Sequence, residues 1–351
     1  MSKTTLILDA HWRQIDELFS RQTLEALHDQ FDVVWGKDAP IPADLLADAL
    51  PKAFAYVAAE PQVSAETLAK APNLKLVAEV SGHFPDTIDY AACQARDIEV
   101  LSCAPGFRQS VAEMGVAMAL SLGRGLIREH EAFRRGDERW LDDCAGEDMT
   151  LFGAPIGFVG YGSIAREVHR LLAPFDPKVS VYDPWLPEDR AREAGVTLMG
   201  LDDLMTQSRC LFIAAAPTRD NLHLIDGPLL AKLPQNATVV LISRAHLVDF
   251  DALLAAAEAG HIKAAIDVFP DEPVPANHPM RRCPNTVFSP HRAAAVEGGR
   301  QLIGDLLLRD LQLVLDGKTP RHFNRAATLD VAALAGVGDA RAVEELAANR
   351  S

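Results

Sequence analysis

A chain of 351 residues is long enough for two domains, each with its own core, and 48% hydrophobic with 24% charged residues is an ordinary globular composition. The formal net charge is −15 with no long basic run, which argues against a nucleic-acid or anionic-membrane surface. Five scattered cysteines without CxxC spacing read as reduced thiols, not as a disulfide framework or a metal site.

The first strand, Thr5–Leu8, runs into Asp9, His11 and Arg13, which is too polar for a signal-peptide core, and no apolar run has the length of a membrane span. A cytoplasmic location is expected. Strands are expected at Thr5–Leu8, Phe31–Trp35, Phe54–Ala58, Leu74–Val80 and Glu99–Cys103. Helical patterns lie between them near Thr23–Asp29, Ala43–Leu50, Ser64–Ala71 and Thr87–Ala95. This alternation predicts a parallel sheet covered on both faces, and none of its turns has a phosphate-binding glycine pattern. Ala104-Pro105-Gly106 breaks the alternation before one long helix, Ser110 to Arg135, in which Ser110 and Glu113 have capping-box spacing. The domain boundary is placed here.

After an irregular stretch, Gly136–Phe152 with Trp140, comes the segment around which the chain is organised, Gly157–Asp183. An apolar strand, Ile156–Val159, enters Gly160-Tyr161-Gly162. A helical period follows, with Ile164, Val168, Leu171, Leu172 and Phe175 on one face. A second strand, Val179–Tyr182, ends on Asp183. This is the layout that holds a dinucleotide. Gly160 permits the tight turn, Gly162 lets a pyrophosphate approach the backbone, and the helix N-terminus offers unpaired N–H groups. Asp183 lies about 20 residues downstream, where a carboxylate accepts from both ribose hydroxyls and repels a 2′-phosphate, so NAD is expected over NADP. The third fingerprint position is Ala165, a small-residue variant. Cofactor contacts are expected at Gly160, Gly162, Ser163, Ile164, Asp183, Pro217, Ser243 and Asp267.

Further strands are expected near Cys210–Ala215, Thr238–Ile242, Ala264–Val268 and Thr286–Ser289. A last helix, Val296 to Asp316, stops at Gly317. An Ala-rich tail follows, with a weak helical pattern at Ala340–Ala348; disorder and packing on a partner subunit are both open. The expected organisation is a substrate domain from residues 1–104 and 295–325, a dinucleotide-binding domain of 105–294, and a tail of 326–351.

A hydride-transferring protein must also manage one proton and one negative charge. Arg244, Glu272 and His291 each lie near the carboxyl end of an expected strand, where open α/β sheets place ligands. His291 suits a general acid/base. Glu272 can bond its other ring nitrogen and favour the protonated ring, and Arg244 can clamp a substrate carboxylate. Singly, such residues are more often structural or solvated; their ordered combination is the signal.

That order resembles the D-isomer-specific 2-hydroxyacid dehydrogenases, which include glyoxylate/hydroxypyruvate reductases and 3-phosphoglycerate dehydrogenases. The resemblance covers about residues 54–322. Leu74–Ala92 looks like the substrate-loop region, ending in an NID-type turn, Thr87-Ile88-Asp89. Ala104–Glu113 looks like the hinge block that ends in Val-Ala-Glu. Gly157–Asp183 matches the cofactor block, Arg244 the ARG-type block, Glu272 the DVFxxEP block and His291 the PH block. The resemblance implies an α/β fold with two lobes on parallel sheets, a flavodoxin-like substrate lobe made from both chain ends and a Rossmann lobe. It also implies a homodimer built on the cofactor lobe, through the helix matching Ser110–Arg135 and the arm after it. By resemblance, Arg244 binds the 2-oxo acid, His291 donates the proton and Glu272 supports His291.

Three departures bear on the substrate. The family's Gly-x-Gly substrate loop, whose N–H groups grip the carboxylate, is here Ser81-Gly82-His83-Phe84-Pro85, and Pro85 removes a donor. Arg244 is followed by Ala245 and His246, bulkier than usual, with His246 open to packing, solvent or cofactor. Arg292 follows His291, where an apolar residue is common. Ser81, Gly82, His83 and Arg292 are therefore expected substrate contacts beside Arg244, and a second polar or anionic group on the substrate is expected. Arg292 can also point outward or pair with Glu297.

Two other readings use the same fold. One is a relative that oxidises formate or phosphite; formate enzymes of this fold pair their histidine with glutamine, so Glu272 counts against that reading. Non-enzymatic NAD-sensing corepressors can retain all three residues; the acidic charge and the lack of a low-complexity segment count against that reading.

Overall fold

The structure is a computed structural model that describes residues 3–141, 147–335 and 337. It contains strands β1 (Thr4–Asp9), β2 (Phe31–Trp35), β3 (Ala53–Ala58), β4 (Leu76–Glu79), β5 (Glu99–Ser102), β6 (Pro155–Val159), β7 (Lys178–Tyr182), β8 (Thr197–Leu198), β9 (Cys210–Ile213), β10 (Ala237–Leu241), β11 (Ile262–Ile266), β12 (Thr286–Phe288) and β13 (Asn324–Arg325). The chain divides into two compact units, Met1–Arg108 with Ala294–Ser351, and Gln109–Ala293.

In the first unit six strands run in the order β13-β5-β4-β3-β1-β2, parallel except for β13, which pairs antiparallel with β5. The period of two along each strand sorts side chains to opposite faces. Leu6, Leu8, Ala55, Val57, Leu76, Ala78 and Leu101 pack on one face against Ile303, Leu306, Leu307 and Leu311 of the C-terminal helix Leu302–Leu315. Ile7, Tyr56, Val77 and Val100 join the opposite cluster with Leu50, Leu68 and Cys93. Both faces are apolar, which is why these strands read as near-continuous apolar runs.

The second unit is a seven-stranded parallel sheet in the order β12-β11-β10-β9-β6-β7-β8. β6 lies between β9 and β7, so the strand order reverses at its carboxyl end, and the glycine turn follows there. Open α/β sheets bind ligands at such a switch point.

Several elements differ from the sequence expectation. The long helix is two, Arg108–Gly123 and Leu126–Arg135, bent by 55°. Gly125 is left-handed at the break (φ 60°), and an added Cβ there would sit 2.5 Å from Nη2 of Arg128. Ser110 is not an N-cap, because the 3-10 turn Ala104–Phe107 runs directly into the helix and leaves Ser110 inside it. The last helix starts at Leu302, not Val296; left-handed Gly298 (φ 71°) interrupts the earlier residues. It stops as expected: Gly317 has φ 70°, and the Gly317 and Lys318 N–H groups close onto the Val314 and Leu313 carbonyls. The helix after the glycine turn ends at Leu172, so Phe175 falls in a 3-10 turn; Ala165, Val168 and Leu172 form its fully buried face. β8 and β13 are two residues long and carry no readable alternation. The pattern at Ala340–Ala348 lies outside the described residues. No single helix among the described residues is long and apolar enough to cross a membrane.

Candidate active site and dinucleotide site

The turn after β6 has the form a phosphate cradle needs. Gly160 has φ 81°, and a Cβ there would lie 2.4 Å from Cα of Ala215, so both conformation and space demand glycine. A Cβ at Gly162 would meet nothing within 4 Å, which leaves an open approach to the backbone. The helix Ser163–Leu172 starts here with Gly162 as its N-cap and no side-chain cap. Its first N–H groups and dipole are thus presented outward, a preference for anions of roughly 0.3–2 kcal/mol. Ser163 and Ile164, in the first turn, are half-buried.

Asp183 follows the carboxyl end of β7, and its carboxylate is already engaged. Oδ2 accepts from the Tyr161 N–H (2.8 Å) and Oδ1 from the Trp185 N–H (2.9 Å). The acid therefore ties the glycine turn to the loop after β7, and each oxygen retains a second lone pair for a hydroxyl donor. Arg190 and Arg192 lie exposed on the helix Glu188–Glu193, where Arg190 pairs with Glu193 (2.8 Å) and Arg192 donates to the Glu188 carbonyl. One contact went unread in the sequence: the Tyr161 hydroxyl meets Nδ1 of His169 at 2.6 Å. Burial pushes the Tyr161 phenol up and the His169 imidazole down from their usual ranges.

The second unit also carries the three expected catalytic side chains, in the loops that follow β10, β11 and β12. Nδ1 of His291 is 2.7 Å from Oε2 of Glu272, whose Oε1 accepts from the Phe269 N–H at 2.9 Å. The carboxylate is thus fixed by the loop after β11, and the ring by the carboxylate. Arg244, in the loop after β10, donates from Nη1 to the carbonyl of its neighbour Ser243 (2.8 Å). Ser243 is buried, with its Oγ donating to the Ile213 carbonyl, and Pro217 is half-buried. His246 points Nε2 at the Thr218 carbonyl (2.8 Å), so it packs on the neighbouring loop.

His291 itself has φ 50°, uncommon for a residue with a side chain. Its N–H donates to the carbonyl of Asp267, and the Asp267 carboxylate accepts from Arg292 N–H (3.0 Å) and Ala293 N–H (3.3 Å). Asp267, 1% exposed, therefore holds the loop that presents His291. The Arg292 side chain is exposed, with no acidic partner, Glu297 included, among the described residues.

In the first unit, the loop Ser81–Pro85 follows β4. Glu79, the last residue of β4, is fully buried and accepts from the N–H groups of Ser81 and Gly82 (2.7 Å each) and of Cys103 (2.9 Å). From the other side, Arg13 donates to the Val80 carbonyl (2.9 Å) and stacks over the Trp12 ring at 4.4 Å. Burial, and then Arg300, pull the Arg13 guanidinium down to about 10. Sequence reading passed over both residues; an acid closing the apolar strand Leu76–Glu79 was the available signal.

Comparison with known proteins fits this geometry. Residues 116–293 match the model of the D-isomer specific 2-hydroxyacid dehydrogenase NAD binding domain. A D-3-phosphoglycerate dehydrogenase of Mycobacterium leprae is 33% identical over 306 residues, 87% of this chain and 57% of that one. A glyoxylate reductase of Thermofilum pendens is 33% identical over 265 residues, 74% of this chain and 77% of the relative. The crystal structure of a phosphoglycerate oxidoreductase from Rhizobium etli superposes with a TM-score of 0.81 at 34% identity, covering 92% of this chain and 98% of the other. The chain thus spans 57% of the length of the mycobacterial relative. It belongs to the D-isomer-specific 2-hydroxyacid dehydrogenase family, and its second unit is an NAD-binding domain.

Proposed function

We propose that this family member is an NAD-dependent oxidoreductase that moves a hydride between NAD(H) and a small D-2-hydroxy acid/2-oxo acid of the hydroxypyruvate, glyoxylate or phosphoglycerate type. The observation that carries the reading is the His291–Glu272 contact of 2.7 Å in the same unit as the open glycine turn. Bound NAD(H) supplies the hydride. Gly160, Gly162, Ser163, Ile164 and Asp183 hold its pyrophosphate and ribose side, with Pro217, Ser243 and Asp267 lining the site. Arg244 binds the substrate carboxylate and polarises the carbonyl; protonated His291 delivers the proton to the carbonyl oxygen, and Glu272 holds the ring and stabilises its charge. His83 and Arg292 are further substrate contacts, with Ser81 and Gly82 shaping the loop that carries His83. The units then divide as substrate domain and cofactor domain. Glu272 as the partner of His291 supports this chemistry over a formate-type reaction.

We also place the protein in the cytoplasm as a homodimer. The free thiols Cys93, Cys103, Cys210 and Cys283 support the first. Exposed Leu126, Ile127 and Phe133 on the helix Leu126–Arg135, and Trp140 and Leu141 after it, support pairing through the cofactor domain. The test is NADH oxidation with glyoxylate, hydroxypyruvate, 3-phosphohydroxypyruvate and pyruvate, beside NADH titration by fluorescence. Turnover that falls at least about a hundredfold in His291→Asn with NADH affinity retained is expected for a lost general acid. NADH binding without turnover of any 2-oxo acid would overturn the enzyme reading.

A further inference from the structure

The buried carboxylate of Glu79 decides more than the shape of its loop. Its Oε2 accepts from Ser81 N–H and Gly82 N–H and also from the Ser81 hydroxyl (2.6 Å), while Oε1 accepts from Cys103 N–H. Oε2 faces two N–H groups and acts as an acceptor throughout, so the Ser81 hydroxyl donates to it. Oγ of Ser81 also lies 3.2 Å from Nδ1 of His83, and having donated its only hydrogen it can only accept there. Nδ1 of His83 therefore carries the hydrogen. In the neutral ring Nε2 is then a lone-pair acceptor, and it has no partner among the described residues. The loop cannot easily rearrange, because Gly82 has φ 103° and a Cβ there would lie 2.8 Å from the Phe107 ring. With the Ser81 and Gly82 amides held by Glu79, they do not serve a substrate carboxylate as a Gly-x-Gly loop would.

We propose that Glu79, acting through Ser81, presents His83 to the substrate as a hydrogen-bond acceptor, so that the loop selects a 2-oxo acid bearing a hydroxyl beside its carbonyl over the alkyl counterpart. His83 is the specificity-determining contact; Glu79 and Arg13 are positioning residues. The inference rests on the 2-oxo acid reading above. Hydroxypyruvate and pyruvate differ by that one hydroxyl, and they form the test pair with the full-length chain. A preference for hydroxypyruvate of about tenfold or more in kcat/KM is expected, since a polar site rejects an analogue that lacks its partner. The preference falls to within about threefold in His83→Leu, through a higher KM for hydroxypyruvate at similar kcat. Nitrogen-15 spectra of histidine-labelled protein, with His83→Leu supplying the assignment, give the independent readout. His83 shows the Nδ1–H form in the parent and shifts toward Nε2–H in Ser81→Ala, a milder variant than any change at buried Glu79. A parent His83 in the Nε2–H form, or a preference unchanged in His83→Leu, overturns the proposal. Absence of turnover with every 2-oxo acid would remove the activity and the substrate preference together, and the spectra would still decide the Glu79–Ser81–His83 chain.

Discussion

Glu272→Gln isolates the support given to the proposed proton donor, His291. Oε1 of Glu272 faces the Phe269 N–H at 2.9 Å, and Oε2 faces Nδ1 of His291 at 2.7 Å. A glutamine has one oxygen, and the Phe269 N–H can be satisfied only by that oxygen. The amide NH2 then meets Nδ1, which must become the acceptor, and a protonated ring would place N–H against N–H. The variant therefore loses a charge-assisted hydrogen bond, worth about 1.5–3 kcal/mol. His291 is 37% exposed and Glu272 13%, so solvent screening favours the lower part of that range. At 1.36 kcal/mol per decade, kcat for reduction should fall by about 10- to 30-fold at neutral pH. Steady-state NADH oxidation across the pH range is the assay, with the thermal midpoint and NADH affinity as controls for folding and the cofactor site. A kcat within twofold of the parent at every pH, in a folded variant, would refute the pairing as a source of catalysis.

Asp183→Ala should narrow the expected NADH-over-NADPH preference in kcat/KM. It should also weaken both cofactors, because it removes the acceptors of the Tyr161 and Trp185 N–H groups; a parent enzyme equally efficient with NADPH would contradict the role given to Asp183. Burial lowers the His169 value in the folded chain below its unfolded 6.5, so the unfolded chain takes up the proton first. Stability is then intact above that unfolded value and declines as the pH falls below it; urea midpoints at pH 7.5 and 5 should drop less in His169→Gln than in the parent, and parallel drops would remove His169 as a cause. Arg292→Leu should raise KM for 3-phosphohydroxypyruvate by about tenfold or more, as loss of a phosphate-holding guanidinium does, and leave glyoxylate little changed. Equal effects on both substrates would mean that Arg292 does not read a distal anion.

The second unit was largely legible because periodicity and glycine chemistry are local. β6, the glycine turn, the following helix and β7 lie where apolar spacing and Gly160-Tyr161-Gly162 place them, and Arg244, Glu272 and His291 lie in the loops that follow β10, β11 and β12. What stayed hidden was irregular backbone. Three acids, Glu79, Asp267 and Asp310, are 0%, 1% and 0% exposed, and each accepts N–H groups from a segment with no period of its own. Glu79 takes Ser81, Gly82 and Cys103; Asp267 takes Arg292 and Ala293; Asp310 takes Arg321, His322 and Phe323. In sequence a lone acid beside apolar residues looks like the solvated end of a strand or helix. Its true partners lie as far as 26 residues away, across Asp267 to Ala293, and pattern reading is blind at that range. The same blindness explains the two misread helix starts, since the 3-10 turn before Arg108 and left-handed Gly298 depend on backbone geometry that apolar spacing does not encode. Unpaired buried carboxylates and amides are each costly, so each acid and its loop stabilise one another as a set. That coupling is why Asp267 belongs to the presentation of His291 as well as to the proposed cofactor site. A change at this acid should move kcat through the loop even where NADH affinity is preserved.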